Sequence, residues 1–475
     1  STIAHGFVKS VDTTAAEAIP GVVKVLTCFD VPEHPFPTAG HPWSMDPDHQ
    51  DVADRHLLNR HVRYYGDDVA VVIAENEVAA MQGVRALQVE YEELPLVLDA
   101  QEAMKPGAPR LHDDYPDNVL KHTDMKKGDY QAAIREPGLI RVEGWYDTPT
   151  VQHCHIENHG CFAYEENGRI TVVASTQIPH IIRRVVGQAL GRPWSDIRVV
   201  KPYIGGGFGN KQDALYEPLC AWCSTQVHGR CVRIDCSREE TFVSNRVRHA
   251  IRFHIVSWLR PDGTFAARKV ELFSNQGAYA SHGHSIVAKA MGSFPQHYPC
   301  DNMECDAWTV FTNRPAAGAM RGYGMPQASF ADESNVDDCA KAVGILHRTQ
   351  HIGGAAAGGN TAQNILLAEI QLFQVLFAKV AVVLGALHRD QHGALAARNN
   401  GIHHIAPGAE CRQAFGCIQH AKTAGSTTSA INQPSAFLQR GVNHIHSCSD
   451  LRQNHFYRFG YFFVLLVHQA DDLKR

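Results

Sequence analysis

The 475-residue chain has little of what several function classes require. It has no excess of positive charge: 44 Lys and Arg stand against 49 Asp and Glu, for a net charge of −5. Without a basic stripe to follow a phosphate backbone, nucleic acid is excluded as the expected partner. Long apolar runs are also lacking. Leu372–Leu387 comes nearest to a membrane span, and Lys379 sits in its middle, so no membrane segment is expected. No charged-then-apolar leader precedes the first strand, and Ser1 is not an initiator methionine, so the N-terminus reads as clipped. The 13 cysteines are odd in number and follow no secreted-domain spacing, which points to reduced thiols in a cytoplasmic protein. The glycines fit neither the GxGxxG fingerprint nor the GxxxxGK[ST] loop, which disfavours both of those nucleotide sites.

What is present is a globular composition, 44% hydrophobic and 20% charged, long enough for two or three domains. Its most telling stretch is Val199–Gln212, VVKPYIGGGFGNKQ. A β-branched run there enters three consecutive glycines, Gly205–Gly207, followed by Phe208 and Gly209. Glycine permits positive φ and close approach of backbone to another group, so this loop is suited to turning bare N–H groups on an oxyanion. A tight turn without a ligand is the plain alternative.

Along the chain, Gly21–Leu26, Asp68–Ala74 and Val89–Leu94 read as strands, with Glu75–Leu87 as a helix between the last two. The prolines and charges of Pro106–Pro137 read as a linker. Strand–helix–strand units then follow: Ile170–Ala174, Ile181–Leu190, Ile197–Val200, Ala214–Gln226, Val232–Ile234 and Lys269–Phe273. From about Ile345 the composition breaks. Residues 345–475 hold 11 of the 29 histidines but 6 of the 49 acidic residues, and carry +5 against −10 for the remainder. That change reads as a shifted reading frame or a fused, poorly ordered sequence.

Three further segments extend the glycine loop into a pattern. They are Ser175–Gln177 (STQ), Gly277–Ser285 (GAYASHGHS) and Ala319–Gln327 (AMRGYGMPQ). With GGGFG and Asn210, Lys211 and Gln212, in this order, they resemble the molybdenum-binding subunits of the xanthine dehydrogenase and aldehyde oxidase family. The wording is closest to the separate-subunit bacterial xanthine dehydrogenases, over roughly residues 1–344. The resemblance implies an α+β fold. A small α/β hammerhead domain (1–105) and a linker (106–137) would precede the first part of a large α/β molybdenum-cofactor-binding domain (138–344), with an unrelated tail at 345–475.

By the same resemblance, the intact enzyme would oxidatively hydroxylate a purine, hypoxanthine or xanthine, with oxygen from water. Its cofactor would be molybdenum–molybdopterin in the cytosine dinucleotide form. A [2Fe–2S] subunit and an FAD subunit would be partners, because no cysteine pattern or dinucleotide fingerprint here suits either group. Gln177 would donate to an oxygen ligand of the metal. Gly206, Gly207, Phe208 and Gly209 would bring backbone against the cofactor, and Arg321 would sit beside it, with Phe208 and Arg321 also near the metal. Tyr323 would stack on a flat substrate, and Gln212 and Lys289 would meet its polar edge. The family's general-base glutamate, in a later Gly-Glu motif, and a later Gly-Gln-Gly segment are both absent from residues 345–475. A chain without that base is expected to be inactive as written. An aldehyde, nicotinate or aromatic thioester is the alternative substrate, and a non-catalytic remnant that docks partner subunits is the alternative role.

Other constellations point elsewhere. His153, His155 and Glu157 alternate in QHCHIENH, which would put them on one face of a strand as a two-histidine, one-carboxylate metal set. Cys220, Cys223, Cys231 and Cys236 suggest zinc or iron–sulfur binding, although the apolar helical setting of the first two favours core thiols. Ser237–Glu240 reads as a strand end with solvated charges. His403, His404, Cys411, Cys417, His444, His446 and Cys448 match no strong zinc spacing.

Overall fold

The strand–helix–strand unit around the STQ segment sets the geometry of everything downstream. Arg169–Ala174 and Ile197–Val200 are parallel neighbours, with Ile170 opposite Ile197 and Val173 opposite Val200. The helix between them, Pro179–Leu190, starts with Pro179, whose missing N–H costs nothing in a first turn, and ends at Gly191 with φ +64°. Its buried stripe is Ile182, Val185, Val186 and Ala189. Each of the larger aliphatics contributes about 1.5–3 kcal/mol by leaving water. Both STQ and the glycine loop therefore leave the carboxyl ends of adjacent parallel strands, the usual position for a ligand in such sheets.

In this computed structural model the described residues are 1–345, except 43 and 47–49, with the backbone of one further strand, Phe462–Leu466. Among them are three sheets. The first, three-stranded, runs His61–Val62, Gly6–Asp12, Gln88–Glu93. The second has seven strands in the order Ile197–Val200, Arg169–Ala174, Gly160–Glu166, Val232–Asp235, Phe462–Leu466, Ala70–Ala74, Val22–Thr27. The third is Val119–Lys127, Met303–Phe311, Phe265–Gly277, Ala250–Leu259, Ile140–Thr148.

One apolar core joins Val8, Leu26, Val71 and Val72 with Ile170, Val172, Ile182, Val185, Leu219 and Val232. A second core fills the underside of the five-stranded sheet with Phe253, Ile255, Leu272, Phe294, Met303 and Val336. The helix Glu77–Ala86 is capped by Asn76, whose side chain accepts from the Ala79 N–H at 2.9 Å. It lies so close on the sheet that a Cβ at Gly83 would stand 2.7 Å from Val72 Cγ1.

The architecture is α+β, as expected. Some local expectations differ. The stretch read as a linker, 106–137, contains the strand Val119–Lys127, an edge of the five-stranded sheet. Its charged residues are exposed on a strand that has no outer partner among the described residues, which is why they resembled a linker. The helix expected from Ala214 begins at Glu217. Ser237–Glu240 is the capped start of the helix Arg238–Val243 rather than a strand end. The segment 152–159 is not a strand: only Val151 makes a bridge, and Cys154 has φ +53°, which ends the alternation. Of the tail, Phe462–Leu466 pairs parallel with Val232–Ile234 and antiparallel with Val71–Ala74. The histidines and cysteines weighed as a zinc set at 403–448, and the apolar run 372–387, lie outside the described residues. Among the described residues, no helix is long and apolar enough to cross a membrane.

Candidate cofactor and substrate site

Three glycines of the loop, Gly205, Gly207 and Gly209, are each required by a different neighbour. A Cβ on Gly205 would stand 2.6 Å from Glu157 Cβ, and one on Gly207 would stand 2.5 Å from Gln177 Oε1. Gly209 has φ +106°, and a Cβ there would meet the Ala319 carbonyl oxygen at 2.5 Å. Phe208, between them, has φ +54° and is 47% exposed. Its carbonyl accepts from the Arg321 N–H at 2.8 Å. The glycine loop and the Ala319–Gly324 turn thus lie backbone against backbone.

Gln177 joins the same place. Its Oε1 accepts from the Gly209 N–H at 3.0 Å, and its own N–H donates to the Lys211 carbonyl at 2.8 Å. This leaves the side-chain NH2 of Gln177 without an acceptor among the described residues. The N–H groups of Gly206, Gly207 and Phe208 also have no acceptor among those residues. Arg321 is exposed and makes no ion pair with a described residue. Several donors without an acceptor among the described residues therefore meet at the carboxyl end of the parallel pair, with the backbone of Arg321 against the loop. That donor set fits an anionic, oxygen-rich ligand. Buried Asn210, whose Oδ1 has no partner among the described residues, lies at the loop's end.

Tyr323 is held from behind. Its hydroxyl lies 3.0 Å from His282 Nδ1 and 3.2 Å from His41 Nε2, and the two imidazole nitrogens are 3.1 Å apart. His41 Nδ1 meets Asp51 at 2.5 Å, and Asp51 accepts from Arg184 at 3.0 Å. His282 Nε2 lies 3.2 Å from the Gln212 carbonyl and 3.3 Å from Asp213 Oδ1. Burial disfavours the charged imidazolium of His282, but the Asp213 hydrogen bond and charge outweigh it, and its pKa stands above the ordinary value. Asp213 is fully buried among Arg246, Thr38 and Ser281. Burial works against its carboxylate, yet Arg246 and His282 hold its pKa well below the usual range. With its hydroxyl engaged and buried, Tyr323 has a pKa pushed above the usual phenol value. It can offer a ring to a ligand, but not a free hydroxyl.

The structure separates the remaining expected residues. Gln212 is half-buried beside the loop, and its amide side chain has no partner among the described residues. Lys289 is exposed in the last turn of the helix Gly283–Met291. That helix packs on the Tyr323 turn, since a Cβ on Gly324 would meet the Ile286 carbonyl at 2.6 Å. The metal set read from QHCHIENH does not converge. His153 Nε2 faces the Ala319 carbonyl at 2.7 Å, His155 Nδ1 faces the Glu157 carbonyl at 2.5 Å, and Glu157 pairs with Lys211 at 2.6 Å. Cys220 and Cys223 are buried in the helix Glu217–Gln226, and Cys220 Sγ faces the Val232 carbonyl at 3.3 Å. Among the described residues, no group of three or more His, Cys, Asp or Glu is placed to hold a metal ion.

Sequence reasoning gave no role to His41, Asp51, Asp213 or His282. His282 lay inside a quoted segment, but its partners are 241 and 69 residues away in the chain, and no local pattern joins them.

Comparison with known proteins agrees with this geometry. Residues 111–349 match the model of the molybdopterin cofactor-binding domain, and residues 1–95 that of the aldehyde oxidase and xanthine dehydrogenase a/b hammerhead domain. The chain is 45% identical over 346 residues to the xanthine dehydrogenase molybdenum-binding subunit of Escherichia coli, a match that covers 73% of this chain and 46% of that protein. It therefore spans less than half the length of that relative. It is 33% identical to the nicotinate dehydrogenase large molybdopterin subunit of Eubacterium barkeri, over 77% of this chain and 84% of that one. Among solved structures, the aldehyde oxidoreductase of Desulfovibrio desulfuricans superposes with a TM-score of 0.68 at 26% identity, covering 73% of this chain and 38% of that one.

Proposed function

The chain belongs to the aldehyde oxidase and xanthine dehydrogenase family of molybdopterin-binding proteins, and from that premise we propose that it is the molybdenum-binding part of a purine hydroxylase. The carrying observation is the set of donors on Gly206, Gly207, Phe208 and Gln177 that find no acceptor among the described residues, next to the backbone of Arg321, whose exposed side chain makes no ion pair with a described residue. These residues would hold a molybdenum–molybdopterin cofactor in its cytosine dinucleotide form. When bound, the cofactor would supply the redox chemistry that inserts water-derived oxygen into hypoxanthine or xanthine.

The chain's own contribution is orientation. The Gln177 amide donates a hydrogen bond without adding charge, and Arg321 adds a fixed positive charge. Tyr323, clamped by His41 and His282, presents one ring orientation to a flat substrate. Gln212 and Lys289 would contact the substrate's polar edge. We assign residues 1–105 to the hammerhead domain and 138–344 to the first part of the cofactor-binding domain. Partner subunits would carry [2Fe–2S] and FAD in a cytoplasmic assembly. Residues 345–475 contain no Gly-Glu pair to supply the general base, so this chain by itself is expected to bind but not to turn over.

The test is metal and pterin analysis of the full chain, co-expressed with the cofactor-assembling enzymes. Stoichiometric molybdenum and pterin, lost in Gln177→Ala, is the expected result. A folded chain with neither would overturn the cofactor reading and favour a docking role. For the substrate, the loaded chain should bind xanthine more tightly than nicotinate or an aldehyde, and the reverse order would refute the purine assignment.

A further inference from the structure

Glu157, read from sequence as part of a metal set, stands where three separate segments meet. One carboxylate oxygen, Oε2, accepts from Ser175 Oγ at 2.6 Å, from the Gly205 N–H at 2.7 Å and from Lys211 Nζ at 2.6 Å. Lys211 Nζ also donates to Ser175 Oγ at 2.9 Å. The Glu157 N–H returns a bond to the Gly205 carbonyl at 3.2 Å. Lys211 has 0% of its side chain exposed, so Glu157 is the counter-charge that makes its burial tolerable. Glu157 is itself anchored, because Arg238 donates to the carbonyls of His155 at 2.7 Å and Ile156 at 2.6 Å.

The two ends of the glycine loop, Gly205 and Lys211, are therefore fixed by one oxygen atom. In the middle of the loop the N–H groups of Gly206, Gly207 and Phe208 have no acceptor among the described residues. A loop of glycines has many conformations of similar energy, and most would turn those groups to solvent or pair them internally. We propose that Glu157 is the positioning residue of the glycine loop, and that its carboxylate pre-sets the loop with Gly206, Gly207 and Phe208 open to an oxygen-bearing ligand. The inference rests on the cofactor reading for the identity of that ligand, but the clamp itself does not.

Hydrogen exchange of the full chain without ligand, read by mass spectrometry on a peptide covering 203–212, tests the clamp. In Glu157→Ala the amides of that peptide should exchange roughly ten- to a hundredfold faster, because several charge-assisted bonds are lost together. Glu157→Gln keeps the shape and one acceptor oxygen but drops the charge, so it should give an intermediate rate. The peptide around the Asp262–Thr264 turn should not change in either variant. Should Glu157→Ala fail to fold, Glu157→Gln and Lys211→Met still decide the matter, because each removes one side of the ion pair at nearly constant volume. Unchanged exchange at 203–212 in folded Glu157→Gln and Lys211→Met proteins would overturn the proposal. In a second arm, pterin retained per chain should fall from wild type to Glu157→Gln to Glu157→Ala. If wild type carries no pterin, the cofactor reading fails while the exchange result still judges the clamp. If pterin is retained equally in all three although the loop exchanges faster, the loop's pre-set shape is not what binds the ligand, and the proposal fails.

Discussion

Replacing Gly209 by alanine tests how the two loops are held together. Its φ of +106° is a conformation that L side chains rarely adopt, and residues forced into such regions cost about 1–3 kcal/mol. The new Cβ would also stand 2.5 Å from the Ala319 oxygen, 2.8 Å from its carbonyl carbon and 3.0 Å from Met320 Cα. All three are backbone atoms, so no side chain can swing away. Relief means moving one loop off the other, at a cost of about 1–3 kcal/mol by analogy with overpacked cores. The sum is roughly 2–6 kcal/mol, and at about 2 °C per kcal/mol for a fold of this size the melting temperature should drop by roughly 4–12 °C. Gly138→Ala is the control. It has φ +80° and nothing within 4 Å of the added atom, so it bears the conformational cost alone, about 1–3 kcal/mol. Both variants reduce the unfolded chain's entropy equally, so the difference between them isolates the contact. Thermal denaturation followed by circular dichroism measures it. Equal shifts for the two variants would refute the idea that close backbone contact requires Gly209.

Further expectations concern pH and side-chain chemistry. Burial holds the Glu217 carboxyl up to about 7. Its folded value lies above its unfolded one, so stability should fall as pH rises from about 4 to 7, by on the order of 3 kcal/mol, and Glu217→Gln should flatten that slope in urea titrations. Burial, with Arg63 nearby, pulls His112 down to about 3. That histidine must stay neutral in the fold, so it removes stability as pH falls below about 6.5, and His112→Gln should soften acid unfolding. Tyr323→Phe strips the shared partner from His41 and His282 and should cost about 1–2 kcal/mol of stability. Under the proposed function, its loss should appear as weaker purine binding rather than absent molybdenum. Of the ten described cysteines only Cys154 is exposed, so peptide mapping after brief treatment with a thiol reagent should find it labelled ahead of the other nine.

Much of the fold was legible in the chain because it rests on local patterns. The β-branched runs Ile170–Ala174 and Ile197–Val200, with an amphipathic helix between them, specify a parallel pair. That topology alone puts Gln177 and the glycine loop at one edge. Gly205–Gly209 announced a tight approach of backbone before any partner was known. The edge strand Val119–Lys127 was hidden, because an exposed strand carries the charges of a linker. The face assigned to His153, His155 and Glu157 dissolved at Cys154, whose positive φ no pattern of residue types predicts. What only the tertiary structure decided was pairing across distance. Glu157 with Lys211, His282 with His41 and Asp213, and Gly209 under Ala319 join residues that are far apart in the chain. Periodicity and propensity act over a few residues, whereas the value of a buried charge or a missing Cβ depends on what the rest of the fold brings within a few ångströms of it.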